Sequence, residues 1–160
     1  RDADSEPMGG KVALASVPKL PAEMESFFQF LDTEGIHYPF DKKRLLVQNG
    51  YVQYIPEGMP ELKGLHIMRS GWFLGELKKK RFEPSGAFAR GLTPDVCDKV
   101  IAYPGDSEEV VRYLKCETLQ VDPNLKNGWY LICVDEFALG WGKVSNGTLK
   151  NKYPSGWRLV

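Results

Sequence analysis

Trp129-Tyr-Leu-Ile-Cys-Val-Asp-Glu-Phe-Ala-Leu-Gly-Trp-Gly-Lys-Val-Ser-Asn-Gly-Thr-Leu-Lys150 decides the architecture. Two apolar runs, Trp129 to Asp135 and Phe137 to Val144, read as strands. Asn146-Gly147, a preferred two-residue hairpin turn, folds the second run back into Thr148 to Lys150. Working outward, Thr118 to Asp122 is a further strand, and Leu65 to Arg69 with Trp72 to Leu77 are candidate strands around Ser70-Gly71. Helical signals lie between them. A short helix runs from Ser85 towards Leu92, and Thr93-Pro94 caps another turn. Asp106 and Glu109 have capping-box spacing for a helix ending near Lys115. Short strands with two short helices predict a small, partly closed barrel over 64–160.

Upstream, 1–18 is polar with Pro7 and Gly9-Gly10 and reads as linker. Pro21 opens a helix in which Met24, Phe27, Phe28 and Leu31 fall at i, i+3, i+4 and i+7, and Gly35 ends it. Arg44 to Gln48 and Tyr51 to Ile55 flank Asn49-Gly50, a second hairpin signal. Together they form a helix-plus-hairpin lobe over 19–63. So short a lobe buries little surface alone, so it is expected to pack against the segment downstream of it. The fold class predicted is therefore α+β.

The 160 residues are 42% hydrophobic and 26% charged, ordinary globular material. Lys and Arg number 21 and Asp and Glu 21, so whole-chain charge gives no support to nucleic-acid binding and local charge must be read instead. It is polarised. Arg69, Lys78, Lys79, Lys80, Arg81 and Arg90 outnumber Glu76 and Glu83 between 69 and 90, and Gly140 to Gly156 contains no acidic residue. Acidic residues gather instead in Asp2 to Glu6, Glu57 to Glu61 and Asp95 to Glu117. No run approaches the ~20 apolar residues of a membrane span, and the start lacks a basic-then-apolar signal pattern. With three widely spaced cysteines arguing against disulfides and a zinc site, the expected compartment is the cytoplasm.

Two stretches place cations beside an aromatic. In Gly75 to Ser85, Lys78, Lys79, Lys80 and Arg81 form a basic loop suited to displacing counterions from phosphates, with a solvated β-to-α connection as the alternative. Phe82 is expected to anchor it to the core. In the final hairpin, Lys143, Lys150, Asn151 and Lys152 are the exposed polar positions. The alternation Phe137, Leu139, Trp141 puts all three on one face, which makes Trp141 core, with base stacking as its alternative. Gly140 and Gly142 would then admit another backbone or an RNA strand on the opposite face. Tyr153 either stacks or closes the barrel. His37 and His66 have no ligand spacing, Cys133 sits in an apolar strand, and Cys97 and Cys116 lack an adjacent base. Asp95, Asp98, Asp106, Glu108 and Glu109 are explained by caps and helix N-termini. No catalytic and no metal-binding residue is expected.

From about Asp41 to the C-terminus, these blocks fall in an order that resembles a known family. The matching segments are Arg44-Leu-Leu, Pro56-Glu-Gly-Met-Pro60, Gly75 to Ser85, Arg112-Tyr-Leu, Gly128-Trp, Val134-Asp and the final hairpin with Gly156-Trp-Arg158. The chain is similar to the C-terminal RNA-binding region of Sun-type (Nol/Nop/Sun) RNA cytosine-5 methyltransferases, in particular those acting on bacterial 16S rRNA. It departs from the family pattern at Gly86 and Lys152, where a histidine is common, and at Lys80 and Trp157.

The resemblance implies a PUA-like fold for 64–160 and rRNA contact through the two basic stretches together with Arg90, Tyr153 and Arg158. It also implies a partner catalytic domain that uses S-adenosylmethionine and a Pro-Cys nucleophile. None of Cys97, Cys116 or Cys133 follows a proline, and no strand, glycine-rich loop and helix occur in succession. Beginning at Arg1, the chain therefore reads as a monomeric appendage of its enzyme, holding no cofactor of its own. A protein-interaction or scaffold domain packing on the catalytic domain is the alternative function. A single RNA groove requires the last hairpin to lie beside the basic loop, next to the strand ending at Leu77, with no acidic side chain between them.

Overall fold

The structure, a computed structural model, describes residues 20–55 and 71–160. The expectations for the linker 1–18, Pro56 to Pro60, His66 and the strand Leu65 to Arg69 lie outside the described residues. A 3-10 turn at Ala22–Met24 leads into α1 (Glu25–Glu34), which Gly35 ends in the left-handed conformation at φ 70°. Met24, Phe27 and Phe30 are its buried residues; Phe28 and Leu31 flank them half-buried. β1 (Leu45–Gln48) and β2 (Tyr51–Tyr54) form the expected hairpin, with Asn49 and Gly50 at φ 54° and 82°. Two successive positive φ values match the right-handed twist of the strands.

β3 (Trp72–Lys78) pairs with β2 and continues the sheet into β4 (Arg81–Pro84), giving the order β1-β2-β3-β4. Strands on either side of the expected 63/64 boundary therefore share one sheet. The basic stretch is not a β-to-α loop. Lys78 and Arg81 are paired strand residues, and Lys79 and Lys80 form the tight turn between them, Lys80 at φ 58°. Alternation explains the extra strand: Phe82 and Pro84 point inward and are buried, while Arg81 and Glu83 point outward. Phe82 anchors the segment to the core, as expected.

Ser85 caps α2 (Gly86–Arg90), its Oγ accepting from the Phe88 amide at 3.1 Å. A 3-10 turn at Pro94–Val96 comes next. The second sheet has the order β5-β7-β8-β9-β6, from β5 (Val100–Tyr103), β6 (Leu119–Gln120), β7 (Gly128–Val134), β8 (Phe137–Ser145) and β9 (Thr148–Asn151). β5, not anticipated from sequence, runs parallel to β7; the other pairs are antiparallel. α3 (Glu108–Leu114) packs over the sheet, capped by the Ser107 hydroxyl and not by Asp106. The curled half-barrel with its short helices is an α+β, PUA-like fold.

β7 is buried on both faces. One face, through Leu131, Cys133 and the neighbouring Trp141, joins the core built by α1, α2 and the first sheet; the other, through Tyr130 and Ile132, packs with Tyr113, Val144 and Leu149. Burial on two sides is why β7 reads as an unbroken apolar run. The helix-and-hairpin lobe does pack on the barrel, with Phe30 edge-on to Trp141 at 6.1 Å.

The alternation expected for β8 breaks at Leu139. Cys133 pairs with Ala138 but Ile132 pairs with Gly140, so Leu139 is an extra residue. A bulge reverses which side chains face the core. Trp141 stays inside at 1% exposure, whereas Phe137 is 69% exposed.

Candidate nucleic-acid interface

Trp129 on β7 lies directly opposite Lys143 on β8, and Lys143 opposite Lys150 on β9. Residues paired across strands share a face, so indole and ammonium groups form one row. Trp141, two residues before Lys143 on that face, is covered by α1 and α2; Trp129 sits at the rim, half-buried. The Trp129 amide donates to Glu34 Oε1 at 3.0 Å, and that oxygen also takes Lys99 Nζ at 2.6 Å. Glu34 thereby ties the end of α1 to the second sheet.

A groove of about 360 Å³ opens between α1, β4 and this rim. Lys80, Arg81, Lys143, Lys152 and Trp129 line it, together with Ser26, Gln29 and Thr33 of α1. Lys143 and Lys152 place their ammonium groups 5.5 and 5.6 Å from the centre of the Trp129 ring. The basic hairpin and the last hairpin therefore meet, as a single groove requires. They meet without pairing: β9 hydrogen-bonds β6, and β3 belongs to the other sheet.

The groove is not free of acid. Glu83 lines it and bridges Arg81 at 3.6 Å and Lys78 at 3.9 Å, and Glu34 lines it too. On β4, Glu83 is two residues from Arg81 and must share its face. Glu34 is neutralised by Lys99, so the groove's own balance is four cations against Glu83.

The other expected contact residues divide. Lys78 pairs with Glu76 and Glu83, and neither it nor Lys79 lines the groove. Lys150 is exposed on β9 beside Lys152. Asn151 is not an exposed contact: its Nδ2 donates to the Tyr113 and Glu117 carbonyls, both at 2.9 Å, and its Oδ1 accepts from the Tyr153 amide. Tyr153 packs between Tyr113 and Trp157, with ring centres 5.4 and 5.8 Å away. Arg90 stacks over Trp157 at 5.0 Å, and Arg158 is the next residue along the chain, both arginines outside the groove lining. Gly140 and Gly142 admit no RNA strand. A Cβ at Gly140 would lie 2.5 Å from Tyr113 Oη, and one at Gly142 2.9 Å from the Leu149 methyls, so the chain's own side chains fill that space.

Trp129 is the residue sequence reading passed over. Its apolar strand context matched Trp141, and the cross-strand neighbours that distinguish the two are non-local.

Burial pushes the Cys97 thiol up to about 12 and the Cys133 thiol to about 11, which keeps both protonated and unreactive at neutral pH. Among the described residues, no three His, Cys, Asp or Glu side chains converge as metal ligands.

Burial first, then Lys150, lowers the Lys152 pKa; Lys143 and Arg81 act in the same direction and Glu83 opposes them. A lysine pKa lowered on folding means that the unfolded chain holds the proton more tightly. The charge therefore costs stability below the folded pKa, and the cost vanishes above the unfolded value near ~10.4. Lys152→Met is expected to leave the thermal midpoint at pH 7 unchanged or raised while weakening RNA binding. A lowered midpoint in a calorimetric scan would show that Lys152 stabilises the fold through Trp129 instead.

Two family models match the chain. Residues 27–92 match the RsmF rRNA methyltransferase first C-terminal domain, and residues 101–159 match the methyltransferase RsmF PUA domain. The matches divide where the first sheet with α2 gives way to the second. No curated protein matches the chain.

Proposed function

Starting from a chain that belongs to the RsmF-type rRNA methyltransferases, as their C-terminal RNA-binding region, we propose that it captures ribosomal RNA and positions it for a catalytic domain elsewhere in the enzyme. The observation that carries this reading is the groove that Lys80, Arg81, Lys143 and Lys152 line together with Trp129. Cations drawn from hairpins about sixty residues apart in sequence act on one segment of phosphate backbone only because the fold brings them together. In the finer reading, the RNA is 16S rRNA, the modification is at cytosine C5, and the methyl donor is S-adenosylmethionine bound by the catalytic domain. This chain acts as a monomer in the cytoplasm and contributes position, since a base must leave its stack to be modified.

Replacing Lys80, Arg81, Lys143 and Lys152 together by alanine tests the reading. Each lost contact with a single strand lowers the slope of log affinity against log salt by about 0.7, so the slope should fall by roughly 2 to 3. Unrelated RNAs should weaken alike, because phosphate contacts carry no sequence information. An unchanged slope in filter-binding titrations at two salt concentrations would remove the groove from RNA binding.

A further inference from the structure

We propose that the groove receives a single unpaired nucleotide of RNA, its base against the Trp129 ring and its phosphate held by Arg81, Lys143 and Lys152. This deepens the RNA-binding reading and rests on it. Size is the first argument: about 360 Å³ lies in the range of roughly 300–1,000 Å³ typical of small-ligand pockets, and a duplex cannot enter a cavity of that volume.

The aromatic ring is the second argument. Trp129 is braced edge-on by Phe30 at 6.0 Å and Trp141 at 6.4 Å, and its amide is held by Glu34, so the indole is fixed before any ligand arrives. A rigid aromatic needs little ordering to stack, and it remains half-buried at the groove surface. Lys143 and Lys152 hold their ammonium groups over the same ring, 5.5 and 5.6 Å from its centre, so an incoming base displaces them from the ring face towards its own phosphate.

The α1 side of the groove is the third. Ser26, Gln29 and Thr33 fall three and four residues apart and share one face of α1. They bring to the groove hydroxyls and an amide, which donate and accept. An aromatic ring, nearby cations and polar side chains are the means by which unpaired RNA bases are bound. A duplex keeps its base faces stacked and offers shape, phosphates and 2′-hydroxyls, so it would reach only the rim cations.

Binding of the chain to a short mixed-sequence single-stranded RNA and to its blunt duplex, at one salt concentration, is the test. Trp129→Leu should weaken single-strand binding by at least about fivefold, the lower end of one lost stacking interaction, and leave duplex binding unchanged. Trp129→Phe should recover most of the loss. Equal losses on both RNAs, or none, would overturn the nucleotide site while leaving RNA binding itself standing; a wild-type chain that binds neither RNA would overturn both. Trp129 also braces the core, so the contact should be read without substitution as well. Ultraviolet crosslinking of a 5-bromouridine single strand to the unaltered chain should give an adduct on Trp129, and adducts confined to other residues would overturn the proposal.

Discussion

Truncating Phe27 to alanine is expected to cost about 3–5 kcal/mol of folding stability. The ring is fully buried, with ring centres at 4.9 Å to Phe82, 5.4 Å to Phe28, 5.6 Å to Phe40 and 6.4 Å to Phe88. These neighbours come from α1 itself, the chain before β1, β4 and α2, and each is held by its own partners. The cavity left behind therefore cannot collapse, and the unfilled volume adds to the lost transfer free energy. Against a total stability of about 5–15 kcal/mol, such a loss leaves a marginal fold, and the thermal midpoint should drop by roughly 6–20 °C. A loss under about 1 kcal/mol in urea titration would mean that the aromatic cluster repacks around the gap. Phe27→Leu, which refills most of the volume, should recover about half of it.

Glu34→Ala should be nearly as damaging, at about 3 kcal/mol, by a different mechanism. The Glu34 and Lys99 side chains are 11% and 17% exposed, and a single carboxylate oxygen serves both Lys99 Nζ and the Trp129 amide. Removing it strands an ammonium and an N–H, each of which costs far more unpaired than their bonds gain when made. Among the described residues, Lys99 then keeps the Asn127 carbonyl at 3.4 Å and the Tyr130 ring at 5.1 Å.

A double-mutant cycle separates the cost of the unpaired charge from the cost of lost packing. Lys99→Met added to Glu34→Ala should recover part of the loss, because no unpaired charge remains. Strictly additive effects would reduce the pair to a surface contact worth about 0–1 kcal/mol. Because Glu34 also braces Trp129, the variant should bind single-stranded RNA more weakly than its stability alone predicts.

Local signals in the sequence were sufficient for the elements whose causes are local. Met24 and Phe27 mark the buried stripe of α1 by spacing, and Gly35 supplies the left-handed residue that ends it. Asn49-Gly50 and Asn146-Gly147 each specify a hairpin through their own backbone preferences. Ser85 and Ser107 differ in legibility. Ser85 stands alone before its helix, whereas Ser107 comes directly after Asp106, and either could supply the capping oxygen; only the backbone path selects the serine. β4 was hidden because Arg81-Phe-Glu-Pro84 is short, charged and ends in proline, which suits an edge strand. β5 was hidden because a parallel partner is set by a distant crossover and leaves no turn signature.

The candidate site divides along the same line. That Lys78 to Arg81 and Lys143 to Lys152 carry excess positive charge is evident from composition alone. That Lys80, Arg81, Lys143 and Lys152 line one groove with an indole, and that this indole is Trp129 while Trp141 is core, was decided by tertiary structure. Both tryptophans sit in apolar strands, Trp129 at the head of an unbroken run, so period-2 patterning cannot separate them. The bulge at Leu139, the covering of Trp141 by α1 and α2, and the lysine opposite Trp129 separate them, and each depends on contacts between residues far apart in the chain. Such contacts leave no local mark, because they are selected by the free energy of packing whole elements and not by the preferences of any one segment.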